Sequence, residues 1–211
     1  ATVDLTQSVA MAKYDYDEKM DQYLSSITLF SNIITLLLYI LVELNRNYFA
    51  GLFGMEMRYI RLMFLYILFW PAFSYLQVRH RIYRKYKFFV FFSAASVIIS
   101  TLSSVLLVVL MEDKLTGRIL GYVVPVTIMN IVLWLHIVNR GRTISWDCIR
   151  FACAIAIPLI PHTLSGILLG NSDRIMINRI CGAESTAMYT LAYQISLLSN
   201  IIWTSMNQAW A

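Results

Sequence analysis

The stretch 88-FFVFFSAASVIISTLSSVLLVVLM-111 contains no Asp, Glu, Lys or Arg over its 24 residues. As an α-helix it would reach about 36 Å, more than the roughly 30 Å hydrocarbon core of a bilayer. Five further stretches also lack these charges, at residues 24–42, 62–78, 119–138, 151–172 and 186–211. Each is near the length that a spanning helix needs. The pattern predicts an all-α polytopic membrane protein with six transmembrane helices.

The composition excludes an ordinary soluble domain. Hydrophobic residues make up 59% of the 211 residues and charged residues only 14%, against about 25% charged in soluble domains. The net charge of +5 lies in segments between the apolar stretches, so we expect membrane lipid and no nucleic acid among the partners. Cys148, Cys153 and Cys181 fit no disulfide or metal pattern, and we expect them to be small buried hydrophobes.

The basic loops predict an orientation. The segment "RHRIYRKYK" at residues 79–87 carries five Lys and Arg, and the positive-inside rule places it in the cytoplasm. Alternation of the helices then puts residues 1–23 and 139–150 on the same side. That side collects ten of the 17 Lys and Arg. We expect residues 12–23, which are mixed in charge, to form a solvated helix extension.

Catalytic and cofactor motifs are missing from the sequence. We find no glycine-rich phosphate loop, no paired catalytic carboxylates, no Cys/His cluster and no serine in a GxSxG setting. We therefore expect that the protein is not an enzyme and that it has no cofactor and no metal site.

Polar side chains recur at helical spacing in three of the predicted helices. Such stripes line water-filled routes or let helices pack closely through small residues. For the serine stripe of the third span we favour packing; for the sixth span we favour a cavity, because its side chains are larger and more polar. The stripes are Ser25, Thr28, Asn32, Thr35 and Tyr39 in the first span; Ser93, Ser96, Ser100 and Ser104 in the third; and Tyr189, Tyr193, Ser196, Asn200, Thr204 and Asn207 in the sixth.

The fifth span combines two prolines with ionisable residues. Pro158 and Pro161 each remove a backbone donor, which allows either a hinge or a purely structural kink. His162 follows directly, and Asp173 lies eleven residues later on nearly the same helix face. Asp173 and Arg174 form either a salt-bridged helix end or an interfacial pair whose charges reach toward water.

The sequence "IPLIPHTLSGILLGNSDRIMINRICG" at 157–182, with "MYTLAYQ" at 188–194 and "MNQAW" at 206–210, resembles the Wzx-like oligosaccharide flippases of bacterial polysaccharide biosynthesis. These belong to the superfamily of multidrug, oligosaccharidyl-lipid and polysaccharide exporters. The residues that carry the resemblance are Pro158, Pro161, His162, Ser165, Ser172, Asp173, Arg174, Gly182, Tyr189, Ala192, Tyr193, Asn207, Gln208, Ala209 and Trp210.

The resemblance implies a two-lobed transporter of 12–14 helices, of which this chain would be an internal piece. Residues 1–145 would belong to the N-terminal lobe, with transmembrane helices at about 24–42, 60–79, 88–111 and 119–138. Residues 146–211 would begin the C-terminal lobe, with helices at about 151–177 and 186–211.

The resemblance also implies a function. The chain would move polyprenyl-pyrophosphate-linked oligosaccharide repeat units across the bacterial inner membrane for O-antigen, capsule or exopolysaccharide synthesis. A polysaccharide polymerase and a chain-length regulator are expected partners. The alternatives are an ion-coupled multidrug exporter of the same superfamily and a polymerase-type membrane enzyme. The residues expected at the cavity, substrate or gate are His162, Asp173, Arg174, Tyr189, Tyr193, Asn200, Asn207 and Gln208.

Overall fold

The computed structural model describes residues 2–53, 56–141 and 144–210, which are helical almost throughout. In chain order the helices are α1 (Thr2–Asp15), α2 (Met20–Leu44), α3 (Arg46–Phe53), α4 (Met57–Ile82), α5 (Tyr86–Leu110), α6 (Lys114–Gly141) and α7 (Trp146–Trp210). Within the described ranges, α2, α4, α5, α6 and α7 are long and apolar enough to cross a membrane. The prediction of an all-α polytopic membrane protein is confirmed.

The last two predicted spans form one interrupted helix. The described residues hold five membrane-length helices rather than six, because α7 covers both predicted spans. Its backbone leaves helical angles at Gly182, where φ is 86° and ψ is 179°. Glycine adopts these angles readily, whereas other residues are strained there. The difference from the sequence prediction arises because a single residue, and not a loop, separates the two segments.

The chain divides into two compact units, Ala1–Leu159 and Ile160–Ala211, which we call unit 1 and unit 2. The assignment of residues 1–145 and 146–211 to two transporter lobes stays a prediction.

In unit 1, helices α2, α4 and α6 pack against one another. Helix α5 lies on α6, and α1 lies on α4. The centre holds Tyr23, Tyr75 and Leu76, each at most 1% exposed. Burying large aromatic and aliphatic side chains on three helices gives the bundle one continuous core.

The polar stripe of α2 faces this core. Beside the stripe, the hydroxyls of Ser31 and Tyr75 lie 2.7 Å apart and share a hydrogen bond. With its amide oriented to satisfy its neighbours, Asn32 donates to the Leu68 carbonyl at 2.8 Å and accepts from Trp134 Nε1 at 2.6 Å. Buried polar groups are tolerated when they are paired in this way. The stripe therefore joins α2 to α4 and α6.

The N-terminal region differs from the solvated extension expected for residues 12–23. Helix α1 ends at Asp15, and a 3-10 turn, Asp17–Lys19, leads into α2. Ala12 and Tyr23 are fully buried, and Met20 is nearly so. The side chains of Asp15 and of the charged residues in the 3-10 turn are exposed, and these charges obscure the apolar positions beside them in the sequence.

Helices α5 and α6 approach closely at two glycines of α6. A Cβ atom on Gly121 would lie 2.4 Å from Cα of Ser104, and one on Gly117 would lie 2.6 Å from the Leu107 carbonyl oxygen. Only residues without a side chain fit so near another backbone. Ser104 belongs to the serine stripe, so this part of the stripe lies at a helix–helix contact.

Candidate functional site

Unit 2 brings together four of the eight residues predicted for the functional site. The Tyr189 hydroxyl donates to Asp173 Oδ2 at 3.0 Å. The Arg174 guanidinium carbon lies 4.7 Å from the centre of the Tyr193 ring. The Tyr189 and Tyr193 rings are stacked, with centroids 6.2 Å apart. We call Asp173, Arg174, Tyr189 and Tyr193 the unit 2 polar cluster.

The cluster forms because the helix bends at Gly182. In an uninterrupted helix, sixteen residues would separate Asp173 from Tyr189 by about 24 Å, too far for a hydrogen bond. The bend brings the segment before Gly182 next to the segment after it. Tyr189 and Tyr193 are four residues apart, so their rings lie on one face. The result is a carboxylate, a guanidinium and two aromatic faces within one short region.

The other predicted site residues lie outside this cluster. His162 and Asn200 are exposed, and His162 lies about 16 Å along the helix from Asp173. The side chains of Asn207 and Gln208 fall outside the described part of the structure. Backbone angles stay helical at Pro158 and Pro161, so the marked break in this helix is at Gly182.

Unit 1 contains a charged cleft that the sequence analysis did not identify. It has a volume of about 330 Å³ and lies where α2 begins and where α4 and α6 end. Arg79 Nη1 lies 2.5 Å from Asp21 Oδ1, and this ion pair joins α4 to α2. The ionisable side chains that line the cleft are Asp17, Glu18, Asp21, Arg79, His80, Tyr83, Lys85, His136 and Arg140.

Hydrogen bonds fix the rim of the cleft. The Tyr83 hydroxyl donates to the Asp17 carboxylate. Partial burial and this hydrogen bond raise the pKa of Tyr83 to about 12. His80 Nδ1 donates to the Leu76 carbonyl at 2.8 Å, which leaves Nε2 as the other ring nitrogen available for a partner. One signal in the sequence was available: His136 and Arg140 have the i, i+4 spacing that puts their side chains on one face of α6.

A second set of charges lies at the far ends of the unit 1 helices. Arg61 Nε donates to Glu43 Oε2 at 3.2 Å. Asp113 precedes α6 and accepts from the backbone N–H groups of Leu115 at 3.1 Å and Thr116 at 3.3 Å. Asp113 is thus an N-cap. Hydrogen bonds from the Thr116 hydroxyl and from these two backbone groups lower the pKa of Asp113.

The cysteines occupy three different environments. Cys148 is buried, Cys153 is half-buried and Cys181 is exposed. The expectation of three buried hydrophobes is wrong for Cys181, which comes directly before the bend at Gly182. Among the described residues, no three His, Cys, Asp or Glu side chains lie close enough to hold a metal ion.

Comparison with known proteins identifies the family. A family model described as "Polysaccharide biosynthesis protein" matches residues 2–211. No curated protein and no solved structure matches the chain. A match over nearly the whole length agrees with the five apolar helices and shows a multi-pass membrane protein with a role in polysaccharide biosynthesis. The chain belongs to the polysaccharide biosynthesis protein family.

Proposed function

We propose that the chain is part of a flippase in the bacterial inner membrane. Its substrate is a polyprenyl-pyrophosphate-linked oligosaccharide repeat unit of a surface polysaccharide, which moves from the cytoplasmic to the periplasmic leaflet. The sugar and the pyrophosphate cannot cross hydrocarbon unaided, because an unpaired polar group costs several kcal/mol there. The proposal describes a transporter and not an enzyme.

The unit 2 polar cluster is the observation that carries this proposal. It places a carboxylate, a guanidinium and two phenol rings in a helix that is otherwise apolar enough to span a membrane. Ionisable side chains within spanning segments are costly and mark substrate or ion pathways. The family match supports a pathway for a polysaccharide precursor.

The chemistry of the cluster suits such a substrate. The Arg174 guanidinium has donors beyond those needed for its contact with the Tyr193 ring, and guanidinium groups bind phosphate oxygens in bidentate fashion. The phenol rings present flat apolar faces with a polar edge, which fit the alternating C–H and hydroxyl surface of a sugar. We propose that Arg174 contacts the pyrophosphate or a sugar acid and that Tyr193 contacts the sugar. Asp173 and Tyr189 form a hydrogen-bonded gate at the opening of the pathway.

The test is a deletion strain complemented with variants of the full-length protein. We expect deletion to abolish surface polysaccharide and to trap lipid-linked repeat units on the cytoplasmic side. We expect Arg174→Gln to restore little of the export. Arg179→Gln is the matched control, because Arg179 is exposed in the same segment and carries the same charge. Normal periplasmic levels of repeat units in the deletion strain would contradict the proposal.

One observation favours the ion-coupled multidrug exporter as a second candidate. Asp173 places a carboxylate in a membrane-length helix, and such carboxylates carry coupling ions in many transporters. Proteoliposomes that contain His162→Ala or Asp173→Asn separate the two functions. The exporter predicts drug efflux that needs an ion gradient and that Asp173→Asn abolishes. The flippase predicts translocation of the lipid-linked sugar and no drug efflux.

A further inference from the structure

A groove lies between α4 and α5 in unit 1, and it shares only His80 with the residues that line the charged cleft. Its volume is about 600 Å³. Helix α5 packs mainly on α6 and meets α4 over a much smaller contact, which leaves the space open. Along α5 the groove extends from Phe89 to Ile98, about 14 Å of helix. This length matches one leaflet of the hydrocarbon core, about 15 Å deep.

The walls along the groove are mainly apolar, with Gln77 and Ser93 as the polar exceptions, and one end of the groove is cationic. Val90 and Val97 line it and are 61% and 62% exposed, so this wall faces outward from the bundle. His80 and Arg81 line the end where α4 terminates. The ring of His80 lies 5.4 Å from that of Phe89, which joins the polar end to the apolar wall. A molecule with an apolar chain and an anionic head fits this arrangement.

More positive charge lies in the loop that joins the two helices of the groove. Arg84 is in this loop, between the end of α4 and the start of α5, and Lys87 is in the first turn of α5. Both side chains are exposed, as is that of Arg81. Within the described residues, none of these three cations has an acidic partner at ion-pair distance. Their charge is therefore available to a ligand from outside the protein.

The backbone at Arg84 gives an independent indication that its side chain has a use. Arg84 has φ of 55°, in the left-handed region. The Arg84 N–H donates to the Arg81 carbonyl at 3.1 Å, and the Lys85 N–H donates to the His80 carbonyl at 2.9 Å. This bond pattern is the Schellman ending of a helix, in which glycine is the usual residue at this position. An arginine is strained here, and strain held at one residue indicates that its side chain has a function.

We propose that the groove between α4 and α5 binds an anionic phospholipid of the bilayer. One acyl chain lies along Val90 and Val97, and the phosphate contacts Arg81 and Arg84. Polybasic segments beside spanning helices attract anionic lipids, and each cation near the surface strengthens binding by about five-fold. The proposal does not depend on which substrate the protein transports.

The test uses the full-length protein in phosphatidylcholine bilayers with a trace of photoreactive phospholipid. One probe has a phosphatidylglycerol head and the other a phosphatidylcholine head, and both carry a diazirine on the same acyl carbon. Cross-linked peptides are mapped by mass spectrometry. We expect the anionic probe to label the segment 89–98 at least about five-fold more than the zwitterionic probe. Equal labelling would overturn the proposal.

Two variants and one control test which cations bind the anionic head group. Arg81→Gln and Arg84→Gly should each lower the anionic excess by about five-fold. Arg84→Gly should also keep or raise the unfolding temperature, because glycine relieves the strained backbone, so loss of labelling is not loss of fold. Lys114→Gln removes the same charge at the start of α6, beyond the far end of α5, and should leave the excess unchanged. Unchanged labelling in both arginine variants would overturn the proposal.

Competition distinguishes the sources of the ligand. Inorganic phosphate at constant ionic strength should leave the labelling unchanged, and its displacement of the probe would indicate a site for free phosphate instead. Added lipid-linked oligosaccharide should also leave it unchanged. Displacement by that lipid would make the groove a path for the prenyl chain of the substrate and would overturn the assignment to a bilayer phospholipid.

Discussion

Tyr189 donates a hydrogen bond of 3.0 Å to Asp173 across the bend of α7, although sixteen residues separate them. The two side chains belong to segments on either side of Gly182, so this bond depends on the bend. The cation–π contact of Arg174 with Tyr193 crosses the same bend. The candidate site therefore depends on the backbone of one residue that does not itself contact the cluster. This relationship links local conformation to function. It can be tested by measuring stability, which depends on the backbone at Gly182, and export, which depends on the cluster.

The first prediction concerns the bend itself. We expect Gly182→Ala to destabilise unit 2 by about 1–3 kcal/mol, because alanine is strained at φ 86° and ψ 179°. A Cβ atom at this position would meet no other atom within 4 Å, so the effect is one of backbone conformation and not of crowding. Unfolding of the purified protein in detergent measures it.

The matched control for Gly182→Ala is Gly170→Ala. Gly170 also has open space around its Cα but lies in regular helix. Alanine is favoured over glycine in a helix by about 1 kcal/mol, so we expect this variant to be neutral or more stable. Equal destabilisation by the two substitutions would show that the angles at Gly182 are not required.

The second prediction concerns the Asp173–Tyr189 pair. We expect Tyr189→Phe and Asp173→Asn each to lower export of polysaccharide by about three- to ten-fold, the range expected for one lost hydrogen bond. Because both substitutions weaken the same contact, the double variant should be no worse than the poorer single variant. Export in the complemented deletion strain measures all three. If the double variant instead loses export by the product of the two single losses, the side chains act separately.

The third prediction concerns the packing of α5 on α6. We expect Gly121→Ala to destabilise unit 1, because the new Cβ atom would lie 2.4 Å from Cα of Ser104 and the helices must separate. Overpacking of this kind costs about 1–3 kcal/mol. Thermal unfolding measures the loss. Gly166→Ala is the control, since nothing lies within 4 Å of the added atom, and a similar loss there would contradict the packing argument.

The sequence predicted the membrane-spanning helices well because their signal is local. A run without charge such as residues 88–111 can hardly adopt another structure in a bilayer, since only a helix pairs all its backbone groups internally. The break at Gly182 falls between the predicted spans 151–177 and 186–211, but its form was not predicted, because two spans normally need a loop between them and here one non-helical residue suffices. Helix α1 was missed because it is only 14 residues long and its few buried apolar residues, such as Leu5 and Val9, give no membrane-length apolar run.

The two candidate sites differed in how far the sequence could predict them. Asp173, Arg174, Tyr189 and Tyr193 were chosen from spacing and from a family resemblance, and the fold brings them together. The pairing of Asp21 with Arg79 joins distant parts of the chain and requires the packing of α2 on α4. Charge periodicity shows which face of a helix is charged but not which helix lies opposite.

The fourth prediction concerns that ion pair. The side chains of Arg79 and Asp21 are 20% and 39% exposed, so water screens the pair in part. We expect a double-mutant cycle with Arg79→Gln and Asp21→Asn to give a coupling energy of about 1 kcal/mol, the upper end for exposed pairs. Urea unfolding in detergent at low and high salt measures it. A coupling that does not weaken with added salt would contradict a screened ion pair.

The last prediction is a dependence of stability on pH at Asp113. Because folding lowers the pKa of this carboxyl, its hydrogen bonds to Thr116 and Leu115 contribute fully above the unfolded value, about 3.9. Their contribution is lost as the pH falls through the lower, folded value.

We expect the unfolding temperature of Asp113→Asn to lie below that of the natural protein at pH 7. The gap should narrow as the pH drops below about 4. Glu112→Gln, one residue away at an exposed position, should show no such gap at any pH. A gap for Asp113→Asn that stays constant from pH 7 to strongly acidic conditions would contradict the assignment of Asp113 as an ionised cap of α6.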